Sequence, residues 1–78
     1  MALVTLSEIL KPARDNHYCV AAFDTSNNDM TLAILETAEA LRSPVILMAL
    51  CVDIEGDKME YWLDGARKMA SRASVPVC

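Results

Sequence analysis

Seventy-eight residues make at most one small domain, which buries only about 60 to 65% of its unfolded surface, so a large self-contained enzyme is excluded. Apolar residues make up 54% and charged residues 23%, too apolar for a disordered tail and too evenly charged for a membrane span. The formal net charge of -4 supplies no basic footprint for nucleic acid or an anionic membrane, and neither is an expected partner.

The cysteines Cys19, Cys51 and Cys78 form no C-x-x-C pair, and the single histidine, His17, cannot complete a zinc site at that spacing. They read as reduced, buried thiols of a cytosolic protein. The opening MALVTLSEIL lacks a basic region and meets an acid at Glu8, unlike a signal peptide. The longest apolar run, residues 44–52, is far below the roughly 18 residues that a spanning helix needs.

In chain order, residues 5–16 place Leu6, Ile9, Leu10 and Ala13 at helical spacing, and Thr5 with Glu8 has the form of a capping box. Pro12 removes a bond to the Glu8 carbonyl and predicts a kink or an end near Lys11. The apolar run at 18–23 has no alternation and predicts a strand buried on both faces, the habit of parallel sheets. At 28–41, Met30, Ala33, Ile34, Ala38 and Leu41 mark a helix, with Asn27 or Asn28 as N-cap and Asp29 suiting its dipole.

Ser43-Pro44 stops that helix, and a second buried strand is predicted over 45–52. Asp57 and Glu60 suggest another capping box before a helix to about Ser71, marked by Trp62, Leu63, Ala66, Met69, Ala70 and Ala73. Val75-Pro76-Val77-Cys78 reads as the start of a third strand. Strand starts at residues 18, 44 and 75 are 26 and 31 residues apart, the spacing of βα units in a (β/α)8 barrel of about 250 residues. After Phe23 stands DTSNND, so the glycine fingerprint of a dinucleotide site is absent. The chain stops inside an apolar run, which gives the expectation that residues 1–78 are a single partial domain, the N-terminal piece of a longer barrel.

In this order and at these spacings the chain resembles, over essentially its whole length, the class II, zinc-dependent ketose-bisphosphate aldolases, the group of fructose- and tagatose-bisphosphate aldolases. The resemblance rests on LVTLSEILKPARDNHYCVAAFD as opening helix and first strand, on the helix start at 27–30, on residues 36–44 leading into SPVIL, and on ASVPVC entering strand three. It implies an α/β fold, the N-terminal part of a TIM barrel: an opening helix, then β-α-β-α and the start of a third parallel strand. It also implies a cytoplasmic lyase of carbohydrate metabolism, glycolysis included, that cleaves a ketose bisphosphate reversibly to dihydroxyacetone phosphate and an aldehyde and assembles as a homo-oligomer. In that family zinc is held by three histidines and an aspartate moves the proton. The aspartate and first zinc histidine stand as an adjacent pair just beyond the position of Cys78. The chain is therefore expected to carry no catalytic residue or metal ligand and to be inactive alone.

Two positions depart from the family pattern. Asp24 stands where asparagine is usual near the substrate, and Met48-Ala49-Leu50 stands where a Gln-x-Ser stretch ends strand two. A carboxylate about 4 Å from a phosphate charge costs up to roughly 4 kcal/mol at an effective dielectric near 20, enough to change substrate choice. Asp24 is thus the one expected substrate-binding residue, on the face where barrel active sites are built. A solvated turn acid is the competing reading. Asp53, Glu55 and Asp57 lack the Ca2+-loop spacing and read as solvated acids at a helix start. No His or Lys is expected near Cys51 to activate its thiol. His17 reads as a turn residue on the opposite face, Trp62 and the methionines as packing residues, and Glu36, Glu39 and Asp64 as lacking any positional reason to pair. The alternative to an aldolase piece is a non-catalytic βαβ interaction module or a catalytically dead relative, whose open sheet edge pairs with another chain.

Overall fold

The computed structural model describes residues 2–53 and 55–78, Asp53 through its backbone alone. Helix α1 (Leu6–Asp15) begins with the expected capping box: the Glu8 N–H donates to Thr5 Oγ1 at 3.2 Å and the Thr5 N–H to Glu8 Oε1 at 3.1 Å. The Thr5 backbone N–H, and after it the Thr5 hydroxyl, hold the Glu8 carboxyl below its ordinary 4.5. The depressed value means that this contribution is complete above the ordinary pKa and is lost as pH falls through the lowered one. Cα chemical shifts of residues 6–9 are therefore expected to stay helical down to about pH 4.5 and to drift toward coil below it. Thr5→Ala, which removes the hydroxyl but keeps the residue-5 N–H that binds Glu8, should weaken that transition without abolishing it and cost about 1 kcal/mol; a pH-independent α1 in the parent chain would contradict the assignment.

Of the two outcomes expected at Pro12, the end near Lys11 does not occur: α1 runs through it to Asp15. Glu8 and Pro12 both lie on the exposed side, where water can take the carbonyl that proline leaves without a donor. The helix closes at Asn16, whose N–H (3.0 Å) and Nδ2 (2.9 Å) both donate to the Pro12 carbonyl. His17 then reverses the chain at φ 59°.

Strands β1 (Ala21–Asp24) and β2 (Val45–Met48) pair in parallel, Ala21 opposite Val45 and Asp24 opposite Met48. Both are shorter than predicted. The Thr25 N–H donates to the Met48 carbonyl at 2.8 Å, the last rung before β1 becomes a loop, and without a partner β2 gives way to a 3-10 turn at Cys51–Asp53. The predicted third strand appears as parallel bridges from Val77 to Val45 and to Leu3. The Val45 N–H donates to Pro76, Cys78 to Val45 and Leu47 to Cys78, at 2.7 to 3.1 Å. On the far side the Val4 N–H donates to the Val77 carbonyl (2.9 Å) and Val77 to Ala2 (2.6 Å). The spatial order is β1, β2, residues 76–78, residues 2–4, all parallel.

Helix α2 (Asn28–Leu41) has the predicted bounds, and Asn27 is its N-cap, Oδ1 accepting from the Met30 N–H at 2.9 Å. Its buried stripe is Thr31, Leu35 and Ala38; of the predicted Met30, Ala33, Ile34, Ala38 and Leu41, Ala38 is buried and Ile34 packs on the core, while Met30, Ala33 and Leu41 are exposed. Ala33 and Leu41 instead line, with Ala21 and Phe23, an open apolar groove of about 380 Å³. Helix α3 (Lys58–Ser71) starts after Asp57, whose side chain caps nothing. Asp57 is already helical (φ -68°, ψ -18°), which denies its carboxylate the extended geometry a cap needs. The Glu39 carboxylate accepts from the Ser74 N–H at 3.2 Å and ties the loop after α3 to α2.

The core is Leu35, Ala38, Val45, Ala70, Val75 and Val77, with Leu3, Ile34, Leu47, Met69 and Ala73 packed on it. It sits between the α2/α3 layer and the centre of the sheet. All four β1 residues are exposed, a correction to the expectation of burial on both faces. Strand β1 is a sheet edge, and among the described residues no strand pairs with its outer side. Cys19 and Cys51 are exposed and Cys78 half-buried, so the expected buried thiols are corrected too: Cys19 precedes the edge strand and Cys51 sits on the 3-10 turn. No helix among the described residues is long and apolar enough to cross a membrane.

Candidate functional site

The carboxyl ends of β1 and β2 lie side by side, so the residues leaving them share one rim. Asp24 is exposed at the end of β1, opposite Met48. The one ion pair among the described residues joins Arg14 to Asp15 at 3.7 Å, so no cation neutralises Asp24 there. Its carboxylate can accept hydrogen bonds from hydroxyl groups and repels a phosphate. Beside it Met48 and Leu50, 40% and 50% exposed, offer an apolar wall instead of the amide and hydroxyl of a Gln-x-Ser stretch.

The loop after Asp24 is anchored from beneath. Thr25 and Thr31 are completely buried. Trp62 Nε1–H donates to Thr25 Oγ1 at 2.8 Å, and Thr31 Oγ1 lies 3.1 Å from both Thr25 Oγ1 and the Asn27 carbonyl. One network thus joins β1, α2 and α3. Where α2 and α3 approach, a Cβ at Gly65 would stand 2.7 Å from Asn28 Oδ1, so the Asn28 side chain would have to swing aside to admit one. A shallow polar groove of about 280 Å³, lined by Ser26, Asn27, Asn28, Lys58, Tyr61 and Trp62, opens between the two helix starts.

The remaining candidates scatter. His17 lies in the turn before β1, at the opposite end of the strand from Asp24. Glu55 and Asp57 are exposed beside α3, and the Asp53 side chain lies outside the described residues. No group of three His, Cys, Asp or Glu among the described residues could hold a metal ion, and one histidine cannot form a three-histidine site. The residues present do not fit zinc.

Sequence reasoning missed the Thr25–Thr31–Trp62 network. Its available signal was Thr31 at a core-facing helical position, since a hydroxyl there requires a buried partner. Trp62 was read for its ring, whereas its N–H makes the contact between α3 and the rim.

The model of the family described as class-II fructose-bisphosphate aldolase matches residues 4–78. A fructose-bisphosphate aldolase of Thermus caldophilus is 58% identical over 45 residues, covering 58% of this chain and 15% of the relative. A 6-phospho-5-dehydro-2-deoxy-D-gluconate aldolase of Bacillus licheniformis is 45% identical over 75 residues, 96% of this chain and 24% of the relative. A fructose-bisphosphate aldolase of Streptococcus pneumoniae is 45% identical over 47 residues, 60% of this chain and 16% of the relative. The chain thus spans a quarter or less of these relatives' length. With a family match over almost every residue and a parallel strand-helix alternation to fit it, the chain belongs to the class II fructose-bisphosphate aldolase family.

Proposed function

We propose that these residues supply the opening strand and helix units of an aldolase-type (β/α)8 barrel whose complete form cleaves a ketose phosphate reversibly to dihydroxyacetone phosphate and an aldehyde. The family match over residues 4–78 carries this reading. The parallel order β1, β2, residues 76–78 supports it. Zinc, a sugar-phosphate substrate, a homo-oligomeric state and a cytoplasmic place in carbohydrate metabolism come with the complete protein. The zinc ligands and the catalytic aspartate belong to its other parts.

The role of this chain is to shape one side of the mouth. Asp24 accepts hydrogen bonds from substrate hydroxyls and keeps anionic groups away, while Met48 and Leu50 exclude water from the adjoining wall. The relatives' names cover both a bisphosphate and a phosphorylated gluconate; a carboxylate at Asp24 directs the charged ends of either kind of substrate elsewhere in the mouth. The purified 78-residue chain with added Zn2+ is expected to leave fructose 1,6-bisphosphate intact. A chimera joining residues 4–78 to the remainder of the Bacillus licheniformis relative should recover aldol cleavage of that relative's substrate. Cleavage by the chain alone, or a folded chimera without activity, would overturn the proposal.

A further inference from the structure

We infer that Thr25 and Trp62 are positioning residues: a one-way hydrogen-bond chain from Trp62 through Thr25 and Thr31 to the Asn27 carbonyl holds the rim after β1, and with it Asp24, in place. The direction follows from proton counting. The indole Nε1–H only donates and the Asn27 carbonyl only accepts. Thr31 Oγ1 is 3.1 Å from that carbonyl and from Thr25 Oγ1 and carries one proton. That proton goes to the carbonyl, so Thr25 gives its own to Thr31 and receives the indole proton at 2.8 Å. Every hydroxyl and the indole are then satisfied, each proton used once; Thr25 and Thr31 are fully buried, where an orphaned donor is costly, and Trp62 half-buried.

The ends of the chain give it a purpose beyond packing. Asn27, at the receiving end, is also the cap of α2 and accepts the Met30 N–H at 2.9 Å. Thr25 is the residue directly after Asp24, and its own N–H closes the β1–β2 ladder on the Met48 carbonyl at 2.8 Å. The three residues between β1 and α2 are therefore fixed at both ends, by the sheet at Thr25 and by the cap at Asn27, and Thr25 is also held by a side chain from α3, 37 residues away in sequence. Trp62 lines the shallow groove behind the rim, so a change in α3 reaches Asp24 through one hydrogen bond. The functional value of this placement rests on the substrate role proposed for Asp24; the strut itself does not.

Amide hydrogen exchange on the 78-residue chain tests it. In Thr25→Val, which keeps the shape and removes the hydroxyl, and in Trp62→Phe, which removes the N–H, exchange at Thr25, Met30 and Thr31 should quicken by on the order of tenfold beyond any change at Ile9 and Val77. Thr25→Ser should restore the slow exchange. A uniform change over the whole chain, or a Thr25→Ser variant that behaves as Thr25→Val, would make the network a general stabiliser and overturn the assignment. The result does not depend on whether the complete protein is an aldolase.

Discussion

Val77→Asp is expected to unfold the chain. Val77 is 1% exposed and lies in the cluster with Leu35, Ala38, Val45, Ala70 and Val75, among which no cation stands. Its backbone joins two neighbours, accepting from Val4 and donating to Ala2 while the adjacent Pro76 carbonyl and Cys78 N–H serve Val45. An unpaired carboxylate in that cluster costs more than about 3 kcal/mol, against the roughly 5 kcal/mol available to a domain of this size. Val77→Ala, which only removes apolar volume, should cost about 2 kcal/mol and leave a folded chain. Urea unfolding followed by circular dichroism reads both, and an unchanged midpoint for Val77→Asp would mean that residues 76–78 are not held between β2 and residues 2–4.

Asp24→Asn is expected to tighten binding of a phosphorylated ligand at the rim. A full negative charge about 4 Å from a phosphate costs up to roughly 4 kcal/mol at an effective dielectric near 20, and about 1 kcal/mol in bulk water. Asp24 is exposed, which places the gain toward the lower figure, so from about fivefold to some hundredfold in affinity. The amide keeps one acceptor and adds donors, so hydroxyl recognition survives. Calorimetric titration of dihydroxyacetone phosphate into the chimera and its Asp24→Asn variant measures the ratio. Equal binding by the variant would remove Asp24 from the substrate mouth, and weaker binding would overturn the charge repulsion assigned to it.

The strand-helix order, the bounds of α2 and the capping box of α1 were legible because each is a local signal: Asn27 and Thr5 act on N–H groups three residues away. What failed was long-range. The burial of β1 depends on neighbours beyond its outer edge, and the burial of Thr31 on α2 goes with a hydroxyl partner, Thr25, that is itself bonded by Trp62 from α3. The pairing of residues 2–4 with Val77 spans the whole chain, and nothing in Ala2-Leu3-Val4 distinguishes a strand from a lead-in to α1. Asp57 misled because a capping-box spacing says nothing of the backbone angle, already helical there. Of the rim, the place of Asp24 was legible from the strand end, while the strut beneath it was not, since indole and hydroxyl meet only in the fold.

The most direct test of the central claim is to read the coding DNA for some thirty codons past Cys78. The proposed function predicts an adjacent Asp-His pair within the first few codons, where the family resemblance puts the proton-transfer and first metal-binding residues of strand three. An immediate stop codon, or an open frame without that pair, would contradict the account and leave an aldolase-related chain whose open β1 edge serves association instead.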